Sequence, residues 1–579
     1  MTKEGNQETA SFRPHRGAEN IVRGGVLLCA FLVVTYCVWT LDRGFDITDE
    51  AYYLLLGIYP ESVKMYISAQ QWITGGIWRA TGSLSAFRAA GLILLVASTG
   101  LLALGAVVSL SHSKLKFSED VGGRGLVLAS SIVCALLYVE TINFSPSYNL
   151  LAASGAYAAT GLALLALHAG DKWYRLGLLL LAGGALGVEF VSKPSAGVAT
   201  LCLLAISVFF VEQLVSDKFI AVAAVISGLL LCVLTLVLTQ TTILDVRIGI
   251  ASGFELFRMV QDEPVGIRLV RYVGEFFRHA AHALTYHIFL IFAVGLYLLT
   301  RHLILVLIVF AILVYSLVSA KYHLGYSGQY ELQYVPQMDF AFVLFFLILL
   351  VSIPVWRNSH SFIVLTVGLI ILPYTVVVGT GNSIYTQVIS CLAPWGVAIA
   401  TMANLNFDRR SDKLLVITLL SGFILAFTLQ IIAGVFRAPY HMVQPLAKQI
   451  YPVNVGLLGS LKVDAETRDF LGAIESASKV CGVVPGTPFF GLYNVPGVAL
   501  VLQTVPVLTP WLNNLAQAEA VLKFGAAESV SSSVVALLLG ADGSSPPVPN
   551  ALGFPADFRY CGTATFPLLI QEIQIWKHE

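Results

Sequence analysis

What most restricts this chain is the recurrence of apolar runs near 20 residues. They fall at 24–41, 89–110, 125–142, 149–168, 176–192, 196–214, 219–239, 283–300, 303–320, 339–356, 361–379, 384–404 and 414–436. Each is long enough, as a helix, to cross a hydrocarbon layer of about 30 Å. Such a run must close its own backbone hydrogen bonds, so each is read as a membrane-spanning helix. Mean hydropathy is +0.80, which excludes an ordinary soluble protein. The short alternating segments of a closed β-barrel are missing. The fold class expected is an all-α polytopic membrane domain of about thirteen spans, covering 24–436.

Charge gives the orientation. Lys114, Lys116, Arg124, Lys172, Arg175, Lys218, Arg301, Arg357, Arg409, Arg410 and Lys413 all fall in loops on one side, against Lys193 and Lys321 in short loops on the other. The positive-inside rule then makes residues 1–23 a cytoplasmic tail and the first span an uncleaved one. The long loops 42–88 and 241–282, and everything from 437 to 579, face outward. The formal net charge is zero, so no nucleic-acid partner is expected.

Directly after the first span stands Gly44-Phe-Asp-Ile-Thr-Asp-Glu-Ala-Tyr-Tyr53, with Asp46, Asp49 and Glu50 within five residues. In a chain only 12% charged, three acids at a membrane boundary suit a general base or a metal-assisted acid pair. They equally suit an N-cap for a helix starting near Ala51. In the same loop, Trp72, Trp78, Tyr66, Lys64 and Arg79 fit short helices at headgroup level. In the second long loop Arg268, Arg271, Glu275, Arg278 and His282 form one polar stripe at helical pitch. That stripe suits interfacial anchoring or capture of a lipid-linked phosphate. Lys193, in the turn Glu189-Phe-Val-Ser-Lys-Pro194, is out of pattern and reads as a snorkelling lysine or a functional cation. The loop Lys321-Tyr322-His323 and onward suits polar binding, including sugars, or a plain interfacial belt.

From about Arg437 polar and apolar residues mix, and a small α/β domain on the outer face is expected. Asp464–Ser478 has helical periodicity, while 498–503 and 534–539 read as short strands or buried helix pieces. Cys481 and Cys561 are the only cysteines in this outward segment, so they are expected to pair, with two separate buried thiols as the alternative.

The motif Asp49-Glu-Ala-Tyr-Tyr53 resembles the Asp-Glu-x-x-Tyr pattern of the GT-C class of integral membrane glycosyltransferases, in particular the protein O-mannosyltransferase and lipid A aminoarabinose transferase group. The likeness extends to about a dozen spans, a large first outer loop and an outer domain after the last span. It implies transfer of a sugar from a polyprenyl-phosphate donor, outside the membrane, to a lipid, glycan or protein acceptor. In several of these relatives a further acid follows span three. Here that turn is Asn143-Phe-Ser-Pro-Ser-Tyr-Asn149, and the nearest acid is Glu140.

Such a transfer needs a base, a cation for the departing phosphate, and dryness. Asp49 is expected as base, with Glu50 sharing the acceptor or joining Asp49 on a divalent metal ion. Lys193, Arg268, Arg271 and Lys321 are expected to hold the phosphate, and Tyr52, Tyr53, Tyr322 and His323 to line the substrate. A polysaccharide polymerase or ligase, and a transporter of lipid-linked sugars, are the competing readings. A transporter normally carries ionisable residues near the midplane of repeated halves. In this chain no halves repeat, and Glu189 is the main in-span acid.

Overall fold

The structure is a computed structural model that describes residues 15–65, 68–112, 120–140, 143–211, 215–260, 264–318, 330–357, 359–526 and 532–579. Nine of its helices are long and apolar enough to cross a membrane, or ten if a bent pair counts as one span. That pair, Gly266–Tyr286 with Ile288–Thr300, turns by 73° at His287. Three shorter apolar helices, Pro194–Val208, Leu303–Val318 and Ala393–Ala403, occupy the remaining expected spans. Every apolar run of the sequence therefore meets a helix. Their ends follow local chemistry. Asp120 accepts from the Gly123 amide at 2.8 Å, Ser147 from Leu150 at 3.2 Å and Asp171 from Tyr174 at 2.7 Å, each taking up a donor that the first turn leaves unpaired.

The arginine stripe lies on helix Val265–Tyr286 as expected. Its opposite face, Leu269, Val270, Val273 and Phe277, is exposed, as suits a helix lying in a membrane surface.

After the last long helix the chain builds a small α/β unit. Its strands are β1 (Tyr451–Asn454), β2 (Ser460–Val463), β3 (Pro488–Leu492), β4 (Val505–Pro506), β5 (Val534–Leu538), β6 (Phe558–Phe566) and β7 (Gln571–His578). β1 and β2 form an antiparallel pair, and the other five form one sheet in the order β4-β3-β5-β7-β6. β4, β3 and β5 run parallel, and β7 and β6 complete the sheet antiparallel. Segment 498–503 resolves as the buried helix Pro496–Leu502 rather than a strand. Cys481, at the end of helix Ala465–Val480, is joined to Cys561 on β6 by a disulfide.

This unit does not sit apart from the first long loop. Phe45, Ile47, Ala51, Leu54, Leu55 and Phe87 share one buried core with Val463, Phe470, Val498, Val534 and Ile575. Backbone bonds stitch the two together: Gly44 N–H to Lys462 O at 2.8 Å, Gly497 N–H to Ile47 O at 2.9 Å, and Lys64 N–H to Leu508 O at 2.9 Å.

Candidate functional site

The acidic stretch turns at Gly44, whose φ of +69° is a left-handed conformation that glycine adopts without steric cost. Asp46 then fixes the start of helix Asp49–Ile58: its Oδ1 accepts from the Thr48 amide at 2.8 Å and its Oδ2 from the Glu50 amide at 3.2 Å. Consecutive helical residues project about 100° apart, so Asp49 and Glu50 leave on different faces. Glu50 goes inward. Arg88 donates to it twice, Nε to Oε1 at 2.7 Å and Nη2 to Oε2 at 2.6 Å, and Ser145 donates to Oε1 at 2.6 Å. Ser145 reaches it because helix Leu84–Ser111 passes close beneath the 143–147 turn at Gly91, where a Cβ would collide with the Phe144 carbonyl. Expected beside Asp49 on an acceptor or a cation, Glu50 is instead enclosed at 0% exposure.

Asp49 faces Tyr440 and His441, which follow the last long helix. The Tyr440 hydroxyl donates to Asp49 Oδ2 at 2.7 Å. His441 Nδ1 lies 3.6 Å from Asp46 Oδ2 and 3.8 Å from Asp49 Oδ2. It also meets Thr48 Oγ1 at 2.7 Å. Thr48 spends its single hydroxyl hydrogen on Asp46 Oδ1 at 2.7 Å, so His441 donates from Nδ1.

Burial raises the Asp49 carboxyl, and the charge of Asp46 raises it further. Tyr440 and His441 pull the other way, and the balance stands at about 6. Burial would also raise Asp46, but His441 and Thr48 outweigh it and hold Asp46 below the ordinary range. For His441, burial opposes the charge, and the two carboxylates overcome it and raise the imidazole. One oxygen each from Asp46 and Asp49 and one ring nitrogen of His441 lie within 4.8 Å of one another. Two carboxylates and an imidazole are a donor set that fits a divalent first-row metal. Among the described residues this trio, not Asp49 with Glu50, is the one gathered to fit such an ion.

A cavity of about 330 Å³ opens between the membrane helices and the C-terminal unit. Tyr52, one turn along from Asp49, lines it, as do Tyr148, Lys193, Phe257, Trp511 and Asn513. Lys193 caps helix Lys172–Ser192, sits 5.7 Å from the Tyr148 ring centre and donates to Asn149 Oδ1 at 3.4 Å. Arg268 and Arg271 stand just behind the wall. The Arg268 guanidinium lies 5.4 Å from the Phe257 ring centre, and Arg271 donates to the Gly381 carbonyl at 3.3 Å. Tyr53 is turned away, with its ring 5.8 Å from that of Tyr148 and only 3% exposed. Lys321, Tyr322 and His323 lie outside the described residues. Glu189 is buried in its span, accepting from Thr200 Oγ1 at 2.8 Å.

Of the residues expected at the site, Tyr52 and Lys193 line one cavity, Arg268 and Arg271 adjoin it, and Asp49 lies one helical turn from Tyr52 outside the lining. Reading the sequence missed His441, Tyr440, Arg88 and Trp511. The first two carried one usable signal: Tyr440 and His441 follow the last span on the same side as the acidic stretch.

No family model matches the chain, and no curated protein matches it. Among solved structures it is similar to ArnT from Cupriavidus metallidurans, in the apo state and bound to undecaprenyl phosphate. Each has a TM-score of 0.46 and 12% sequence identity, over 95% of this chain and 98% of that chain.

Proposed function

We propose that this protein is an integral membrane glycosyltransferase that moves a sugar from a polyprenyl-phosphate donor to an acceptor at the outer membrane surface. One observation carries the reading. A carboxylate held near pH 6, Asp49, stands one helical turn from the wall of a cavity that also holds the cation of Lys193. A base at the edge of a cavity and a cation on its wall are what this transfer needs.

In this reading Asp49 takes the proton from the acceptor hydroxyl or amine as the new glycosidic bond forms. The bond from the sugar to phosphate breaks, and the charge growing on the phosphate is met by Lys193, with Arg268 and Arg271 adding positive potential from behind the wall. A single displacement inverts the anomeric centre and needs no carboxylate nucleophile. Glu50 is a positioning residue, holding helix Asp49–Ile58 through Arg88. Asp46, Asp49 and His441 would hold a divalent ion, which when bound would add positive charge beside the acceptor. The apolar helices adjoining the cavity would take the prenyl chain. The N-terminal tail up to residue 23 then lies in the cytoplasm, and the unit from 437 lies outside.

The test compares lipid extracts of membranes carrying the wild-type chain, the Asp49→Asn variant or neither. A polyprenyl-phosphate sugar should be consumed only with the wild type. If none is consumed, or Asp49→Asn consumes it equally, the reading fails.

A further inference from the structure

The cavity has two unlike halves. Among the described residues that line it, Lys193 is the one charged group, and it belongs to the membrane-helix wall. The opposite wall comes from the C-terminal unit and is neutral: Thr509, Trp511, Asn513 and Gln517. A phosphate suits the first half. The second offers an aromatic ring and amides without charge, which suits a neutral polyol.

Trp511 is the central element of that wall. Its Nε1–H is already spent on Asn494 Oδ1 at 2.6 Å, so the indole has no donor left to offer the cavity and presents its ring instead. Tyr52 meets it edge-on, with ring centres 5.5 Å apart and planes at 70°, which holds the indole in place from the membrane side. Asn513 is likewise fixed: its Nδ2 donates to Gln517 Oε1 at 3.2 Å, and its backbone amide donates to the same oxygen at 2.8 Å. Gln517 in turn donates to the Leu256 carbonyl at 3.3 Å, anchoring this wall to helix Ile243–Val260. What this wall offers a ligand is a held aromatic ring and the Asn513 carbonyl oxygen, an acceptor for a hydroxyl, beside the Thr509 side chain.

We infer that Trp511, with Asn513, forms the subsite for the sugar ring of the lipid-linked donor. The C–H face of the ring packs on the indole, a hydroxyl donates to Asn513 Oδ1, and the phosphate lies across the cavity at Lys193. Trp511 is thus a specificity-determining residue that tells a sugar-bearing carrier from a bare one. This rests on the transferase reading above, and the test separates the two.

Full-length wild type, Trp511→Ala, Trp511→Phe and Lys193→Ala proteins would be reconstituted in nanodiscs. Each would be titrated with bare polyprenyl phosphate and with polyprenyl phosphates carrying glucose, mannose, galactose or ribose. The wild type should prefer at least one sugar-bearing lipid over the bare one. Trp511→Ala should lower that preference by roughly three- to tenfold, the order expected for one aromatic contact, with bare-lipid affinity unchanged. Trp511→Phe should restore most of it. Lys193→Ala should weaken both kinds of lipid alike. The inference is overturned if the wild type prefers none of the four sugars, if Trp511→Ala keeps the preference, or if it weakens bare and sugar-bearing lipids equally. If instead no lipid phosphate binds, or Lys193→Ala changes nothing, the transferase reading itself falls.

Discussion

Arg88 grips Glu50 with two parallel hydrogen bonds of 2.7 and 2.6 Å, and both side chains are closed off from solvent, at 1% and 0% exposure. Arg88 also donates to the carbonyls of Leu41, Arg43 and Gly44, so one guanidinium ties the end of the first span, the turn after it and the acidic helix together. Removing one partner of such a pair leaves a buried charge uncompensated, at a cost of about 3–5 kcal/mol. Arg88→Ala and Glu50→Gln should therefore both lower the thermal unfolding temperature in detergent and reduce the yield of folded protein. An Arg88→Ala protein that melts like the wild type would deny the pair its anchoring role.

Asp49→Asn should behave in the opposite way. It should abolish turnover, with a loss of about 10²–10⁴-fold for a general base, and keep the fold. Its carboxyl is raised from 3.8 to about 6 by burial and by Asp46. A raised carboxyl favours the folded state when protonated, so its contribution is full below about 4 and is lost as pH rises through about 6. Above pH 6 the asparagine variant should be no less stable than the wild type. A variant that both turns over normally and melts earlier would remove Asp49 from the chemistry.

The same carboxyl sets an acid limb. Activity should fall as pH drops through about 6, because the base must be unprotonated. His441 lowers Asp49 from 3.8 Å away. Replacing it with Gln removes that cation, so the limb should move upward by about 1 pH unit. A limb that stays in place in a pH–rate profile of His441→Gln would show that another group titrates there.

Lys193→Ala should weaken donor use more than it weakens the fold. A charge-assisted contact to phosphate is worth about 1.5–3 kcal/mol, or roughly ten- to hundredfold in affinity. Unchanged donor binding would leave Lys193 as a lysine that only stacks on Tyr148 and would remove the cation on which the transferase reading rests.

The disulfide offers a test of orientation. Six of the eight cysteines are free, and Cys481 and Cys561 are joined across 80 residues. A thiol-reactive mass tag on denatured protein should therefore add six labels without reductant and eight with it. Loop-entropy arguments assign such a link on the order of 4 kcal/mol, so reduction should also lower the melting temperature. Eight labels without reductant would mean that the bond does not form, and would count against an outward-facing C-terminal unit.

The helical framework could be read from the sequence because a span advertises itself: a long apolar run has few alternatives. The acidic cluster of Asp46, Asp49 and Glu50 stands out in the sequence too, since acids are scarce in such a chain. Glu50 was misplaced because a dipeptide does not reveal which way each side chain leaves the helix; that depends on Arg88, which reads in sequence as the edge of a loop. His441 and Trp511 lie hundreds of residues from Asp49, and only tertiary contacts bring them near. β7 carried a fainter trace: Ile573 and Ile575 alternate with polar neighbours and are both fully buried, a period-two pattern masked by the short strands around it. Segment 498–503 went to helix because Pro496 starts a turn and Gln503, at φ +55°, ends it.

Tyr52, Lys193 and Trp511 border one cavity yet belong to the start, the first third and the last eighth of the chain. Proteins are made from the N-terminus onward, and their parts fold in that order. Asp49 and Lys193 are thus synthesised long before the wall of Thr509, Trp511 and Asn513 that faces Lys193. A nascent chain stalled before Thr509 holds only the membrane-helix half of that cavity and, on the transferase reading, lacks the wall that takes the sugar. On that reading, a donor could be enclosed only after the C-terminal unit has been made.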